Sequence, residues 1–232
     1  MKHVILFDID GTLLLSGGAG QVAMERALEE TFGVKELNCD IPAAGRTDRS
    51  ITTDLFRHVG LEPDAARWEA FVACYFRTLP RTLVELGGHV LPGIRELLAL
   101  LAARKDVTLG LLTGNFEEGA WIKLRHFELD HYFRFGGFGD DHFDRDDVAR
   151  LAYDATHRHL GRRVEPQGVW VIGDTPSDVR CGKAIGGRTV AVATGMYAAE
   201  ELQAHDPDLL LPDFSDPERF LTSLGSVETD RR

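Results

Sequence analysis

The chain predicts an α/β fold, an open parallel sheet with helices on both faces, with a small all-helical domain inserted near its amino end. Three observations predict it. From residue 107 onward short apolar runs alternate with helical patterns, the grammar of strands joined by crossover helices. Three apolar runs, ending near Asp8, Thr113 and Asp174, stop in small, polar or acidic residues, as strands do along the ligand-binding edge of a parallel sheet. Between the first two of these runs lie about 95 residues without a strand pattern, far more than a normal crossover.

Taken in order, Val4-Ile5-Leu6-Phe7-Asp8-Ile9-Asp10-Gly11-Thr12-Leu13 reads as a buried strand that stops where the chain turns on Gly11. Ser16-Gly17-Gly18-Ala19-Gly20 is a loop, and a helical pattern follows over 21–31. Residues 36–46, with Pro42 and Gly45, read as loop; helical patterns cover 48–59 and 63–78, the second opened by Pro63. Gly87-Gly88 breaks the chain, and Pro92-Gly93 precedes a Leu-rich helix over 93–104. Strands are expected near 107–112, 132–136, 169–173, 188–193 and 208–211. Helices are expected near 117–127, 146–160, 176–185 and 217–224. The result is a Rossmann-like domain made of 1–15 and 87–225, an all-helical domain over 16–86 hinged at 17–20 and 87–88, and a frayed polar tail over 226–232.

The bulk properties narrow the function. The chain has 232 residues, 44% hydrophobic and 27% charged, enough for one large domain or a core with an insert. No apolar stretch approaches the roughly 20 residues that cross a bilayer, and the amino terminus carries no leader pattern. Cys39, Cys74 and Cys181 are odd in number and widely spaced, which indicates neither a disulfide framework nor a zinc site and points to the cytoplasm. A formal charge of −11 argues against a nucleic-acid partner, whose phosphates demand Lys and Arg. It does not argue against a small phosphorylated metabolite, because a divalent cation reverses the field inside one cleft.

Asp8 and Asp10 lie two apart, so strand alternation turns them to the same side. Two carboxylates that close share a proton, bind a cation or split their pKa values, and each outcome belongs to an active site. A carboxylate can attack phosphorus only if its repulsion from the phosphate is neutralised, and Mg2+, a hard ion that takes oxygen ligands, does this. Asp8, the backbone carbonyl of Asp10, and Asp174 would supply those oxygens; nothing soft is on offer for zinc or copper. Asp8 is then the nucleophile, and Asp10 protonates the leaving oxygen and later deprotonates the attacking water. Thr113, Gly114 and Asn115 offer a hydroxyl and N–H groups near a helix start, a cradle for phosphate oxygens, although Thr113 also suits a helix N-cap. Gly11 permits close backbone approach.

Asp8-Ile9-Asp10-Gly11-Thr12, Thr113-Gly114-Asn115 and Gly173-Asp174-Thr175-Pro176-Ser177-Asp178 resemble, in order and spacing, motifs one, two and four of the haloacid dehalogenase-like (HAD) hydrolases. The resemblance runs from about residue 3 to 213. It implies the phosphatase branch with a helical cap after the first motif, similar to phosphoglycolate phosphatase and beta-phosphoglucomutase. It assigns Asp8 and Asp10 the roles just derived, and makes Asp178 a residue that holds a metal-bound water or orients a basic side chain. The basic third motif is the poorest match. Arg145 stands at about its place, but among acids that would equally make it a surface ion pair. Lys183 reads as support for a strand edge and Lys123 as an exposed helix residue. In the cap, Arg46 and Thr47 stand where such proteins read the far end of the substrate.

The implied function is a magnesium-dependent phosphatase that hydrolyses a small phosphomonoester through an aspartyl-phosphate. A phosphomutase of the same fold keeps both acids and remains an alternative. Asp10 disfavours a dehalogenase, which needs no acid for a halide. A phospho-accepting signalling domain, of another class, lacks a helical insert. The acids over 140–147 lack a calcium-loop pattern, and His157 and His159, two apart on a helix, point to different faces.

Overall fold

The computed structural model describes residues 3–35, 37 and 41–225. β1 (His3–Phe7), β2 (Leu14–Leu15), α1 (Ala19–Phe32), α2 (Asp48–His58), α3 (Ala65–Leu86), β3 (His89–Val90) and α4 (Ile94–Ala102) form the first part of the chain. β4 (Val107–Leu112), α5 (Glu117–His126), β5 (Gly136–Gly137), α6 (Arg145–Leu160), β6 (Val169–Gly173), α7 (Pro176–Ala184), β7 (Arg188–Val192), α8 (Ala199–Gln203), β8 (Leu209–Leu211) and α9 (Glu218–Leu221) complete it. The sheet has the order β5-β4-β1-β6-β7-β8, and every pair is parallel. This is the α/β class expected, with the helical segment α1–α3 between β1 and β4.

Burial explains why β1 is apolar at every position. Ile5 and Phe7 pack with Trp170 and Ile172 on one face, under α4 and α5. Val4 and Leu6 pack with Val169 and Val171 on the other, under α6 and α7. A parallel strand covered on both sides has no polar face to alternate with. From β1 the next parallel strand, β4, lies on one side and β6 on the other, so the strand order reverses at β1. The crevice beyond the carboxyl end of β1 is therefore where ligands bind in such sheets.

Several elements differ from expectation. β1 ends at Phe7, before the acids, because the Ile9 carbonyl accepts the N–H groups of Leu13 (2.8 Å) and Leu14 (3.1 Å) and turns the chain. α3 runs to Leu86, past the expected stop at 78, with Pro80 inside it. Leu79 and Leu83 are fully buried, and the Thr82 hydroxyl donates to the Ala19 and Leu79 carbonyls, so packing on α1 outweighs the hydrogen bond Pro80 cannot make. The strand expected over 132–136 is only Gly136–Gly137, preceded by a single 3-10 turn at Asp130–Tyr132. The stretch read as free of strands holds β2 and β3, which pair antiparallel with Leu14 opposite Val90 and Leu15 opposite His89. α8 was not expected. Residues 226–232 and Cys39 lie outside the described residues.

Candidate active site

Three of the expected acids converge at the reversal point. Asp8 follows β1, its N–H donating to the Ile172 carbonyl (3.0 Å) and its Oδ1 accepting from the Ile9 N–H (2.8 Å). Asp174 follows β6 and accepts from the Thr12 hydroxyl (3.0 Å). Asp178, in the first turn of α7, accepts from the Thr175 N–H (3.0 Å) and hydroxyl (2.7 Å), closing a capping box. One oxygen of each carboxylate lies within 4.8 Å of the others, and all three are buried. Burial pushes the Asp174 carboxyl up to about 8, with Asp178 and Asp8 adding repulsion. Burial also raises Asp178, to about 6, against the pull of Arg145. Such crowding fits a bound cation, and the donors are hard oxygens only.

Arg145 is the counter-charge within the protein. It is not a surface ion pair: its side chain is 4% exposed, its Nη2 lies 3.2 Å from Asp8 Oδ2, and it bonds Asp178. Burial works against its charge, but Asp8 and Asp178 more than offset that and raise its pKa. Its Nε, fully buried, has no partner.

Asp10 sits apart from this cluster. It is half-buried and accepts from Lys123 Nζ (2.5 Å), Asn115 Nδ2 (2.9 Å) and, at 3.3 Å, the Ser16 hydroxyl. Burial alone would raise its pKa; Lys123, Asn115 and Ser16 outweigh it and lower it. Lys123 therefore corrects the sequence reading, being 5% exposed and also donating to Asn115 Oδ1 (2.6 Å). The signal was present: Gly119, Ala120, Lys123 and Leu124 form the buried stripe of α5, and a lysine in such a stripe needs a partner.

The second motif is divided in its placement. Gly114 and Asn115 line the cavity above the acids, whereas Thr113 is fully buried and accepts from Asn115 Nδ2 (2.8 Å). Thr113 is not the N-cap of α5; Phe116 holds that position. A Cβ on Gly114 would come within 2.0 Å of the Arg46 carbonyl, so only glycine lets the helical segment approach here. Gly11 has φ 80° and a Cβ there would meet Asp174 Oδ2 at 2.3 Å. Gly195, which the sequence reading missed, presses on the same carboxylate. Arg46 lines the cavity too, with its guanidinium bound to Asp54 (2.5 Å) and the Pro42 carbonyl (3.1 Å). Lys183 is remote and donates to the His205 carbonyl (2.8 Å).

Together the strand ends and the helices enclose a cavity of about 510 Å3. Residues 5–192 match the model of the haloacid dehalogenase-like hydrolase family. The chain belongs to that family. This HAD hydrolase is 26% identical to phosphoglycolate phosphatase of Pectobacterium atrosepticum over 91% of its own length and 89% of that protein. It is 28% identical to a 5'-nucleotidase of Pseudomonas aeruginosa, over 88% of each. Among solved structures, CbbY of Rhodobacter sphaeroides in complex with phosphate superposes with a TM-score of 0.73 at 22% identity, covering 93% of this chain and 96% of that one. Among the described residues, no helix of the HAD hydrolase is long and apolar enough to cross a membrane.

The helical segment α1–α3 of this HAD hydrolase meets the strand ends at Asp48. Its N–H donates to the Gly114 carbonyl (2.7 Å), and its Oδ2 accepts from the Phe116 N–H (2.9 Å). Burial pushes its carboxyl up to about 6, against the pull of Lys123. A value above the unfolded one means the folded chain holds the proton more tightly. That contribution is complete below the unfolded value near 3.8 and is lost as pH rises through about 6. Between about pH 5 and about pH 8 the wild-type protein should lose roughly 1–2 kcal/mol on this account, and Asp48→Asn should lose none of it. Urea unfolding at about pH 5 and about pH 8 measures the difference; equal pH slopes in the two proteins would remove Asp48 as a source.

Proposed function

We propose that this hydrolase is a magnesium-dependent phosphatase acting on a small phosphomonoester through an aspartyl-phosphate on Asp8. The observation that carries the reading is the buried Asp8 carboxylate at the reversal of strand order, 3.2 Å from Arg145 and clustered with Asp174 and Asp178. Asp8, the Asp10 carbonyl and Asp174 would hold Mg2+, which supplies charge neutralisation between carboxylate and phosphate. Asp8 attacks phosphorus, the bond from phosphorus to the ester oxygen breaks, and the leaving oxygen takes a proton. The Asp10–Lys123 pair holds one proton for this purpose. In the second half Asp10 takes a proton from water as that water attacks the phosphorus of the aspartyl-phosphate. Gly114 and Asn115 bind the phosphoryl oxygens, Thr113 orients Asn115, and Arg145 offsets their charge, held by Asp178. Gly11 and Thr12 fix Asp174 against Asp8.

Residues 16–86 form the cap, and the β2–β3 ribbon is where it joins the core. Arg46, at the cap loop, faces the substrate's far side. The substrate is a small phosphorylated metabolite, in keeping with the phosphatase and nucleotidase relatives, and the compartment is the cytoplasm, in keeping with the free buried thiols of Cys74 and Cys181. Asp10 favours phosphoryl over halide chemistry, since a halide needs no proton. The test is release of phosphate from p-nitrophenyl phosphate. Release should require Mg2+, stop on chelation and return when the ion is restored; turnover indifferent to the chelator would refute the metal dependence.

A further inference from the structure

We propose that the leaving group is an uncharged alcohol with an apolar body, and that esters with a second anionic group are poor substrates. This inference rests on the phosphatase reading and deepens it. The roof of the cavity is built from the cap by Met24, Ile41, Ile51, Leu55 and Tyr75. Tyr75 carries this apolar surface into an aromatic cluster, lying parallel to Phe71 at 6.4 Å and edge-on to Phe116 at 5.9 Å. A wall of this kind rewards burial of carbon and penalises an ion brought against it without a partner.

The charged groups on the wall point the same way. Among the described residues lining the cavity, Arg46 is the basic side chain that the cap contributes, and Asp54 already holds it at 2.5 Å. The other cap ions on the wall are Glu25 and Asp48, both acids. On the core side Lys123 is paired with Asp10 at 2.5 Å, and Arg145 with Asp8 and Asp178. A carboxylate or second phosphate beyond the reacting phosphoryl group would thus face acids, carbon and an Arg46 already paired with Asp54, with every lining cation engaged. At about 510 Å3 the cavity also exceeds what a two-carbon acid fills; it is of the size that encloses a ring-bearing ligand.

The experiment compares kcat/KM, in the presence of Mg2+, for benzyl phosphate and uridine monophosphate against phosphoglycolate and fructose bisphosphate. The uncharged bodies should be favoured by about tenfold or more. Equal or better turnover of the two anionic esters overturns this inference and leaves the phosphatase reading intact. No turnover of any ester refutes the phosphatase reading, and the inference falls with it. Met24→Lys places a cation in the roof and should shift the ratio toward fructose bisphosphate by about tenfold. An unchanged ratio in a folded variant would show that the roof does not select the leaving group. Calorimetric binding of benzyl phosphate and phosphoglycolate to Asp8→Asn protein should rank the two esters in the same order, and the reverse order counts against the inference.

Discussion

Replacing Asp8 with Asn is expected to reduce phosphate release by about four orders of magnitude or more while the protein stays folded. The amide keeps the shape and one acceptor for the Ile9 N–H, but it cannot form a covalent bond to phosphorus. Stability should hold or rise. The change removes one of three buried carboxylates crowded within 4.8 Å, and Arg145 keeps Asp178 as partner. Phosphate release and a thermal melt, read side by side, check both halves. A variant that keeps a tenth of the activity would exclude Asp8 as nucleophile, and an unfolded one would leave Asp8 a structural residue.

Arg145→Ala is expected to have the largest effect on stability. Removing one member of a buried ion pair leaves its partners uncompensated and costs about 3–5 kcal/mol. Here Asp8 and Asp178 lose their shared cation, with the buried Asp174 carboxylate beside them. Asp178 already titrates up to about 6 through burial, and without Arg145 its value rises further. A raised acid gives stability below its unfolded value and loses it as pH climbs through the folded one, so the deficit should be larger at about pH 8 than at about pH 5. Urea unfolding in the presence of a chelator measures this without interference from a bound ion. Arg145→Lys should restore only part, since one ammonium cannot serve Asp8 and Asp178 together as the guanidinium does. A loss below about 1 kcal/mol in the alanine variant would mean that water reaches the cluster.

Much of this was legible in the residues. Apolar runs that stop in Asp8, Thr113 and Asp174 mark strands covered on both faces, and such strands end along one edge, so the strand–helix alternation places Asp8 and Asp174. Asp10 does not stand beside Asp8 in the way strand alternation predicts, because β1 ends at Phe7 and Asp10 bonds Lys123 and Asn115 instead. The β2–β3 ribbon was not legible, because two residues a side carry no periodicity. Pro80 pointed to a helix end that packing on α1 overrides, an effect of tertiary burial rather than local preference. Lys123 was misplaced because lysine alone reads as solvent-facing; only its position in the stripe with Ala120 and Leu124 says otherwise. The apolar roof over the acids was beyond reach, since its residues come from α1, α2, α3 and, with Ile41, the loop between α1 and α2, and meet only in three dimensions.

The ribbon has a consequence for the history of such chains. Leu15 and His89 pair directly, so the polypeptide leaves the sheet and re-enters it through neighbouring doorways. The β1–β4 register and the Asp8 N–H bond to the Ile172 carbonyl are made by residues outside the stretch between Leu15 and His89. On the proposed reading of this segment as a cap, it is an exchangeable module: a lineage can acquire a new diet by rewriting the insert while inheriting the phosphorus chemistry unaltered.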